Sequence, residues 1–120
     1  MKNQQKTPLV AVRAIIFDEN NRILLLRRAP DDEYGNRWCL PGGKVDLGQT
    51  AEEAMAREID EETSLKCTSS RFLFYQDGLP QNPGEKHYLS LYFECRVTGE
   101  IELNEESSEF AWMATICIPE

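Results

Sequence analysis

Three glutamates, Glu58, Glu61 and Glu62, stand at positions i, i+3 and i+4 of the segment 43–65. If this segment is helical, residues at that spacing share one face, so the three carboxylates point the same way. Like charges at such a short distance repel one another. The cluster therefore requires a cation or strong solvation. Oxygen-only clusters suit hard ions such as Mg²⁺ or Mn²⁺. The alternative is a solvated acidic face, because runs of charge often mark exposed surface.

The sequence also marks the helix that would hold these carboxylates. Thr50 is a good N-cap residue, and Glu53 stands three residues later, which together make a capping box. No glycine or proline occurs between Thr50 and Ser64. We therefore predict a helix over about residues 51–63.

The residues around this predicted helix resemble the Nudix box, G-x5-E-x7-R-E-U-x-E-E-x-G-U, in which U is a bulky aliphatic residue. The positions that match, including the usual lead-in, are Pro41, Gly42, Gly43, Arg57, Glu58, Ile59, Glu61, Glu62 and Leu65. Two positions differ, because Gln49 replaces the first glutamate and Ser64 replaces the second glycine. The resemblance is strongest over residues 22–65, and its looser pattern spans nearly the whole chain.

The two departures carry expectations of their own. In the family the first glutamate pairs with the box arginine, here Arg57. The resemblance thus implies that Gln49 weakens the brace on Arg57 without abolishing catalysis, so that Gln49→Glu would raise kcat. Ser64 must end the helix without glycine's easy access to positive φ, so we expect modest strain or a different helix exit.

The resemblance implies a Mg²⁺- or Mn²⁺-dependent hydrolase that cleaves the pyrophosphate linkage of a nucleoside diphosphate attached to another group X. In such enzymes water attacks one phosphorus, while metal neutralises phosphate charge and activates the water. The resemblance gives catalytic roles to Arg57, Glu58 (the general base), Glu61 and Glu62, and metal contacts to Glu58, Glu61, Glu62, the Gly42 carbonyl and Glu106, with Glu109 as the next candidate. Glu106 and Glu109 belong to an acidic segment before Trp112 that a solvated loop would also explain.

Other residues are candidates for binding the substrate. By resemblance, Arg28 at the end of the second predicted strand reaches a phosphate, for which the forked donors of arginine are suited. A surface arginine is the alternative. The remaining candidates are Arg27 and Arg13 for phosphate, and Tyr34, Trp38 and Tyr75 for stacking on a base, although aromatic side chains more often belong to a core. ADP-ribose, other nucleotide sugars and nucleoside triphosphates are all candidate substrates, since no specificity motif separates them.

Length, charge and cysteine content limit the class of protein that this chain can be. A chain of 120 residues predicts one domain over residues 1–120, with residues 1–7 flexible. The formal net charge of −8 argues against a general nucleic-acid surface, which would be basic. The four cysteines form no CxxC pair, and there is neither a signal-peptide pattern nor an apolar run of membrane-spanning length. We expect a cytoplasmic protein without membrane contacts, and leave open whether it is a homodimer.

Periodicity predicts several strands around the one helix. The predicted strands cover residues 9–17, 22–28, 71–76, 87–97 and 110–113, and the segment 87–97 alternates between apolar and polar residues. Segments 41–43, 77–86 and 104–109 are predicted loops. This pattern indicates an α/β or α+β protein, and the resemblance implies the Nudix fold, a mixed β-sheet sandwiched between helices. The family's usual helix after the position of Trp112 is not evident in the sequence.

The rival interpretation is a catalytically weak nucleotide-binding sensor on the same fold. Such sensors usually lose carboxylates of the box, whereas this chain replaces only the first, by Gln49. A structural domain with accidental similarity is the third interpretation. Turnover of nucleotide substrates with Mg²⁺ or Mn²⁺ separates the enzyme from both rivals.

Overall fold

The structure of the chain is a computed structural model that describes residues 5–32 and 35–114. The described residues form seven strands and one helix. In chain order these are β1 (Leu9–Ile16), β2 (Ile23–Arg28), β3 (Trp38–Cys39), β4 (Gly42–Lys44), α1 (Ala51–Thr63), β5 (Lys66–Gly78), β6 (Tyr88–Thr98) and β7 (Ser107–Met113).

The described strands make two sheets. The first has the order β4-β1-β6-β5, in which β1 and β6 are parallel and the other pairs are antiparallel. The second has the order β3-β2-β7 and is antiparallel. The predicted mixed α+β architecture is confirmed. Of the helices that the resemblance places around the sheet, the described residues contain α1 alone.

The core lies between α1 and one face of the four-stranded sheet. Ala54, Met55 and Ile59 of the helix are buried in one cluster with alternate residues of β1 and β6. The sheet residues in this cluster are Val12, Ala14, Ile16, Phe93 and Cys95. The predicted alternation of β6 is therefore confirmed, and its polar residues project from the opposite face.

Both ends of α1 behave as the sequence predicts. The N-cap Thr50 and Glu53 form a complete capping box, and the helix ends at Thr63. Ser64 follows in the left-handed conformation with φ 67°, which costs a non-glycine residue free energy. Its backbone N–H donates to the Asp60 carbonyl at 2.9 Å, and its hydroxyl donates to the Glu102 carbonyl at 3.1 Å. These hydrogen bonds stabilise the strained helix exit.

Several predicted boundaries were wrong because strand pairing is not local. The predicted turn 41–43 contains β4, whose Gly42 pairs with Arg13 of β1. A Cβ atom at Gly42 would lie 2.0 Å from the Val12 carbonyl oxygen, so glycine is required for this close pairing. β5 is longer than predicted, and β7 begins at Ser107, which puts Glu109 in a strand and not in a loop.

Two expectations concern residues outside the ranges that the structure describes. Tyr34 falls in the gap between the described ranges, and the region of the expected second helix falls largely in 115–120. Within the described ranges, α1 is too short and too polar to cross a bilayer.

Candidate active site

A cavity of about 480 Å³ opens where α1, β4 and the polar face of β1 and β6 meet. Ala11 and Arg13 alternate with the core residues of β1, so they project from the sheet face opposite α1. The cavity is lined by carboxylates (Glu58, Glu62, Glu106), cations (Arg13, Arg28, Lys44), β6 residues (Tyr88, Ser90) and the small residues Ala11, Cys39, Gly42 and Gly43. The structure thus brings predicted residues from four separate segments into one place.

The glycines of β4 let two helix carboxylates approach the strand. A Cβ atom at Gly43 would lie 2.5 Å from Cδ of Glu58, so the carboxylate of Glu58 lies directly over this glycine. The backbone N–H of Gly42 donates to Oε1 of Glu62 at 3.3 Å. Gly43 of the Pro-Gly-Gly lead-in therefore provides space for the carboxylate of Glu58, and Gly42 contributes a backbone donor to Glu62.

Glu62 is the unusual carboxylate of this site. Its side chain is almost fully buried, with 3% of the residue exposed. Burial raises the pKa of Glu62 to about 9, and its hydrogen bond and charge repulsion with Glu58 act in the same direction. Without a cation nearby, Glu62 therefore carries a proton at neutral pH.

These carboxylates fit a hard divalent cation in their chemistry. Carboxylate oxygens are the ligands that Mg²⁺ or Mn²⁺ prefers, and a divalent cation would favour the ionised form of Glu62 over the protonated form. Among residues 5–32 and 35–114, no three His, Cys, Asp or Glu side chains converge closely enough to hold an ion as they stand. Metal binding therefore requires side-chain adjustment around Glu58 and Glu62, with Glu106 lining the other side of the cavity.

Arg28 is the cation best placed for phosphate. Its guanidinium donates to Oδ2 of Asp32 at 2.8 Å and lies 4.0 Å from Oε1 of Glu106. The hydrogen bond to Asp32 is the main cause that raises the pKa of Arg28. Its Nε is buried and finds no hydrogen-bond partner among the described residues. A fixed arginine with an unused donor beside a cavity suits an oxyanion ligand.

Some predicted site residues lie elsewhere. Glu61 does not line the cavity, since its side chain is 58% exposed and its carboxylate lies 4.0 Å from Nε of Arg57. Arg27 instead pairs with Glu109 at 2.9 Å and lies 5.9 Å from the ring centroid of Trp38. Arg27, Trp38 and Glu109 therefore form a separate surface cluster.

Tyr75 also lies away from the cavity. It pairs with Leu91 of β6, which packs against the core, so Tyr75 projects from the α1 side of the sheet. A register shift between Phe72 and Phe74 causes this, because an extra residue reverses the side-chain alternation beyond it. Phe74, the partner of Tyr92, lies on the site face, to which unbroken alternation from Phe72 would have assigned Tyr75 and not Phe74.

The brace on Arg57 differs from the expected one. Its guanidinium donates to Oδ2 of Asp46 at 2.6 Å and to Oε2 of Glu58 at 2.8 Å. Gln49 does not contact Arg57, and its Oε1 accepts the backbone N–H of Asp46 at 3.1 Å. The expectation that Gln49 leaves Arg57 poorly braced was therefore wrong, since Asp46 supplies the missing carboxylate and Gln49 positions Asp46.

We expect Asp46→Asn to lower kcat about two- to fivefold, because a partly exposed ion pair contributes up to about 1 kcal/mol. Arg57 would then hold Glu58 less firmly. The comparison variant is Gln49→Glu, which should not raise kcat, because Arg57 already has a carboxylate partner. Steady-state kinetics of the two variants measure the effect. A faster Gln49→Glu enzyme beside an unchanged Asp46→Asn enzyme would show that Asp46 is not the brace.

We expect Gly43→Ala to lower kcat about tenfold or more while the protein stays folded. The new methyl group would meet the carboxylate of Glu58, which is the end of a flexible side chain, so the fold can adjust by moving that carboxylate. Displacing a catalytic group by about 1 Å can cost on the order of a hundredfold in rate. The contrasting variant is Gly42→Ala, which clashes with backbone and should lower the melting temperature. Unchanged kinetics in a folded Gly43→Ala protein would contradict this geometry.

Sequence reasoning gave no site role to several residues that line the cavity, among them Cys39, Lys44, Tyr88 and Ser90. The alternation of segment 87–97 separated Tyr88 and Ser90 from the core residues, which was the available signal. The alternation did not assign a function to Tyr88 or Ser90, because the parallel pairing of β6 with β1 is not visible in local sequence.

The comparisons with known proteins agree with this geometry. The family model of the NUDIX domain matches residues 7–115. An 8-oxo-dGTP diphosphatase of Escherichia coli is 32% identical over 102 residues, which are 85% of this chain and 77% of that protein. An ADP-ribose pyrophosphatase of Methanocaldococcus jannaschii is 36% identical over 103 residues, which are 85% of this chain and 59% of that protein.

Solved structures give the same result. A MutT NUDIX hydrolase from Burkholderia pseudomallei superposes with a TM-score of 0.84 and 28% identity, covering 96% of this chain and 89% of that one. The matched family model spans both sheets and α1. The chain therefore belongs to the Nudix family.

Proposed function

We propose that this protein hydrolyses the pyrophosphate linkage of a small nucleotide with the help of Mg²⁺ or Mn²⁺. The observation that carries the proposal is the buried Glu62 against Glu58 at the glycine edge of β4, in a cavity that also contains Arg28. Burying the carboxyl group of Glu62 beside a second carboxylate is costly unless a ligand compensates its charge. A divalent cation with a phosphate substrate satisfies both the pair and the arginine.

Each side chain has a role in this proposal. Glu58, held by Arg57 at 2.8 Å, accepts the proton of the attacking water. Glu62 and Glu106 are ligands on the two sides of the cavity, with Gly42 beside them, and Glu61 is a ligand from the solvent side of the same helix face. Arg28 and Arg13 hold phosphate oxygens. The metal, when bound, neutralises phosphate charge and lowers the pKa of its water.

The nucleobase has a platform on the same sheet face. Phe74 stacks on Tyr92 with ring centroids 4.7 Å apart and an interplanar angle of 22°. Tyr92 is the β6 partner of Arg13, so the aromatic pair borders the cavity. Phe74 is 50% exposed, which leaves its ring open to a planar ligand. We place the base here, in preference to Tyr75 and Trp38.

ADP-ribose and oxidised or ordinary nucleoside triphosphates are the substrates we propose to test first. The activities by which the two relatives above are named, 8-oxo-dGTP diphosphatase and ADP-ribose pyrophosphatase, support this choice. The experiment is a panel of nucleotides with Mg²⁺, Mn²⁺ or no metal, in which products are identified by chromatography. Binding without turnover of any nucleotide would favour the sensor and refute the hydrolase.

A further inference from the structure

We propose that a second cavity, continuous with the active site, binds a phosphate group carried by the X part of the substrate. This inference rests on the proposed function, because it concerns the part of the substrate beyond the cleaved linkage. The cavity has a volume of about 590 Å³. We call it the distal lobe and define it by Lys44, Leu79, Gly84, Lys86 and Tyr88, which line it.

The distal lobe and the active-site cavity share a boundary. Lys44 and Tyr88 line both cavities, so no further layer of residues separates them there. Lys44 ends β4, two residues after Gly42, and Tyr88 begins β6. A ligand anchored at the glutamates can therefore continue into the distal lobe along the strands.

Strand register gives the distance between the two cavities. Gly42, Arg13 and Tyr92 lie side by side across β4, β1 and β6, at the level of the carboxylates. Tyr88 lies four residues before Tyr92 on β6, which corresponds to roughly 13 Å along the strand. The distal lobe is thus separated from the aromatic pair by the length of the active site. With the base on Phe74 and Tyr92, the X group extends toward Tyr88.

The charge of the distal lobe determines its ligand. Within the described residues, neither Lys44 nor Lys86 forms an ion pair with a carboxylate. Lys6 and Lys86 line an adjoining hollow, so a third lysine lies nearby. In a chain with net charge −8, unpaired lysines beside an active site indicate an anionic ligand.

Among the residues that the structure describes, Glu85 is the one carboxylate that lines the distal lobe, and it is engaged elsewhere. Its Oε1 accepts the backbone N–H groups of Gln81 at 2.7 Å and Asn82 at 3.0 Å, and its Oε2 accepts the Asn82 side-chain amide at 3.2 Å. The hydrogen bond from Gln81 is the first cause that lowers the pKa of Glu85. Glu85 therefore fixes the loop between β5 and β6 and leaves the lysines for a ligand.

The ligand chemistry is a phosphate that follows the cleaved linkage. It could belong to a phosphorylated sugar or to the further phosphates of a second nucleotide, and the two sources are distinguished by substrate. The test compares kcat/KM for ADP-ribose, ADP-ribose 1″-phosphate and diadenosine tetraphosphate. We expect the parent enzyme to prefer one of the two phosphate-bearing substrates over ADP-ribose.

Lys86→Gln is the test variant, because Lys86 lines the distal lobe and not the active-site cavity. We expect it to reduce the preference ratio about fivefold, as the loss of one charge contact of about 1 kcal/mol would. Lys66→Gln is the matched control, since Lys66 pairs with Asp60 at 2.7 Å and lines neither cavity. The control should leave the ratio as it is.

If the parent enzyme hydrolyses ADP-ribose but does not prefer a phosphate-bearing substrate, the distal lobe is overturned and the proposed function is not. The same conclusion follows if Lys86→Gln and Lys66→Gln have equal preference ratios. If no nucleotide is hydrolysed, the proposed function fails and the lobe is tested by calorimetric titration with inorganic tripolyphosphate. Weaker binding to Lys86→Gln than to Lys66→Gln supports the lobe in that case. Equal binding to both variants overturns it.

Discussion

Replacing Glu58 with glutamine is expected to lower kcat by about a hundredfold or more, with little change in the melting temperature. General-base catalysis contributes roughly 10²–10⁴-fold, and Glu58 is the carboxylate that Arg57 holds at 2.8 Å beside the cavity. Glutamine keeps the shape of the side chain but cannot accept a proton. The measurement is kcat with saturating substrate and Mg²⁺.

The control for this variant is Glu52→Gln, on the exposed first turn of the same helix. It removes one negative charge from α1 without touching the cavity, so its kcat should match the parent. If Glu58→Gln retains more than about a tenth of the parent kcat, then Glu58 is not the base. A pH profile of the residual activity would then locate the group that is.

Replacing Glu62 with glutamine is expected to stabilise the metal-free protein at pH 8 by at least about 2 kcal/mol and to abolish its stabilisation by Mg²⁺. The folded-state pKa of Glu62, about 9, lies above its ordinary value of 4.5, so the folded state binds this proton more tightly than the unfolded state. The free energy of unfolding of the parent therefore falls as the pH rises from about 4.5 to about 9. Glutamine does not titrate, so the free energy of unfolding of the variant lacks this decrease with pH.

Urea unfolding of parent and Glu62→Gln between pH 5 and pH 9, with and without Mg²⁺, measures both effects. In metal-free buffer the two proteins should differ most at alkaline pH. Added Mg²⁺ should stabilise the parent and leave the variant unchanged. Parallel pH curves for parent and variant would show that Glu62 is not protonated in the fold, and equal Mg²⁺ stabilisation would remove it from the metal site.

Local sequence was enough to predict α1 and the shared direction of Glu58 and Glu62, because capping and helical spacing are properties of neighbouring residues. Thr50 and Glu53 formed the expected box, and Glu58 and Glu62 share the expected face. The strand pairings could not be predicted in the same way. The contact of Gly42 with β1 depends on residues about 30 positions away in the chain.

Two of the differences between the expected and the observed site have identifiable reasons. The aromatic candidate Tyr75 projects from the α1 side of the sheet, because a bulge reverses alternation and leaves no mark in composition. The brace of Arg57 was assigned to position 49, although Asp46 reaches the same guanidinium from an earlier position in the loop. Family resemblance located the box correctly, but only the geometry shows which carboxylate replaced the missing one.

If Glu62 is a metal ligand, the proton that it carries near neutral pH makes metal uptake a proton-exchange reaction. A divalent ion that binds Glu62 must displace its proton into the solvent, so each ion bound near neutral pH releases about one proton. Apparent metal affinity then increases with pH until the pH is high enough to ionise Glu62 in the absence of metal. The heat of binding in a calorimeter includes the ionisation enthalpy of whichever buffer accepts that proton.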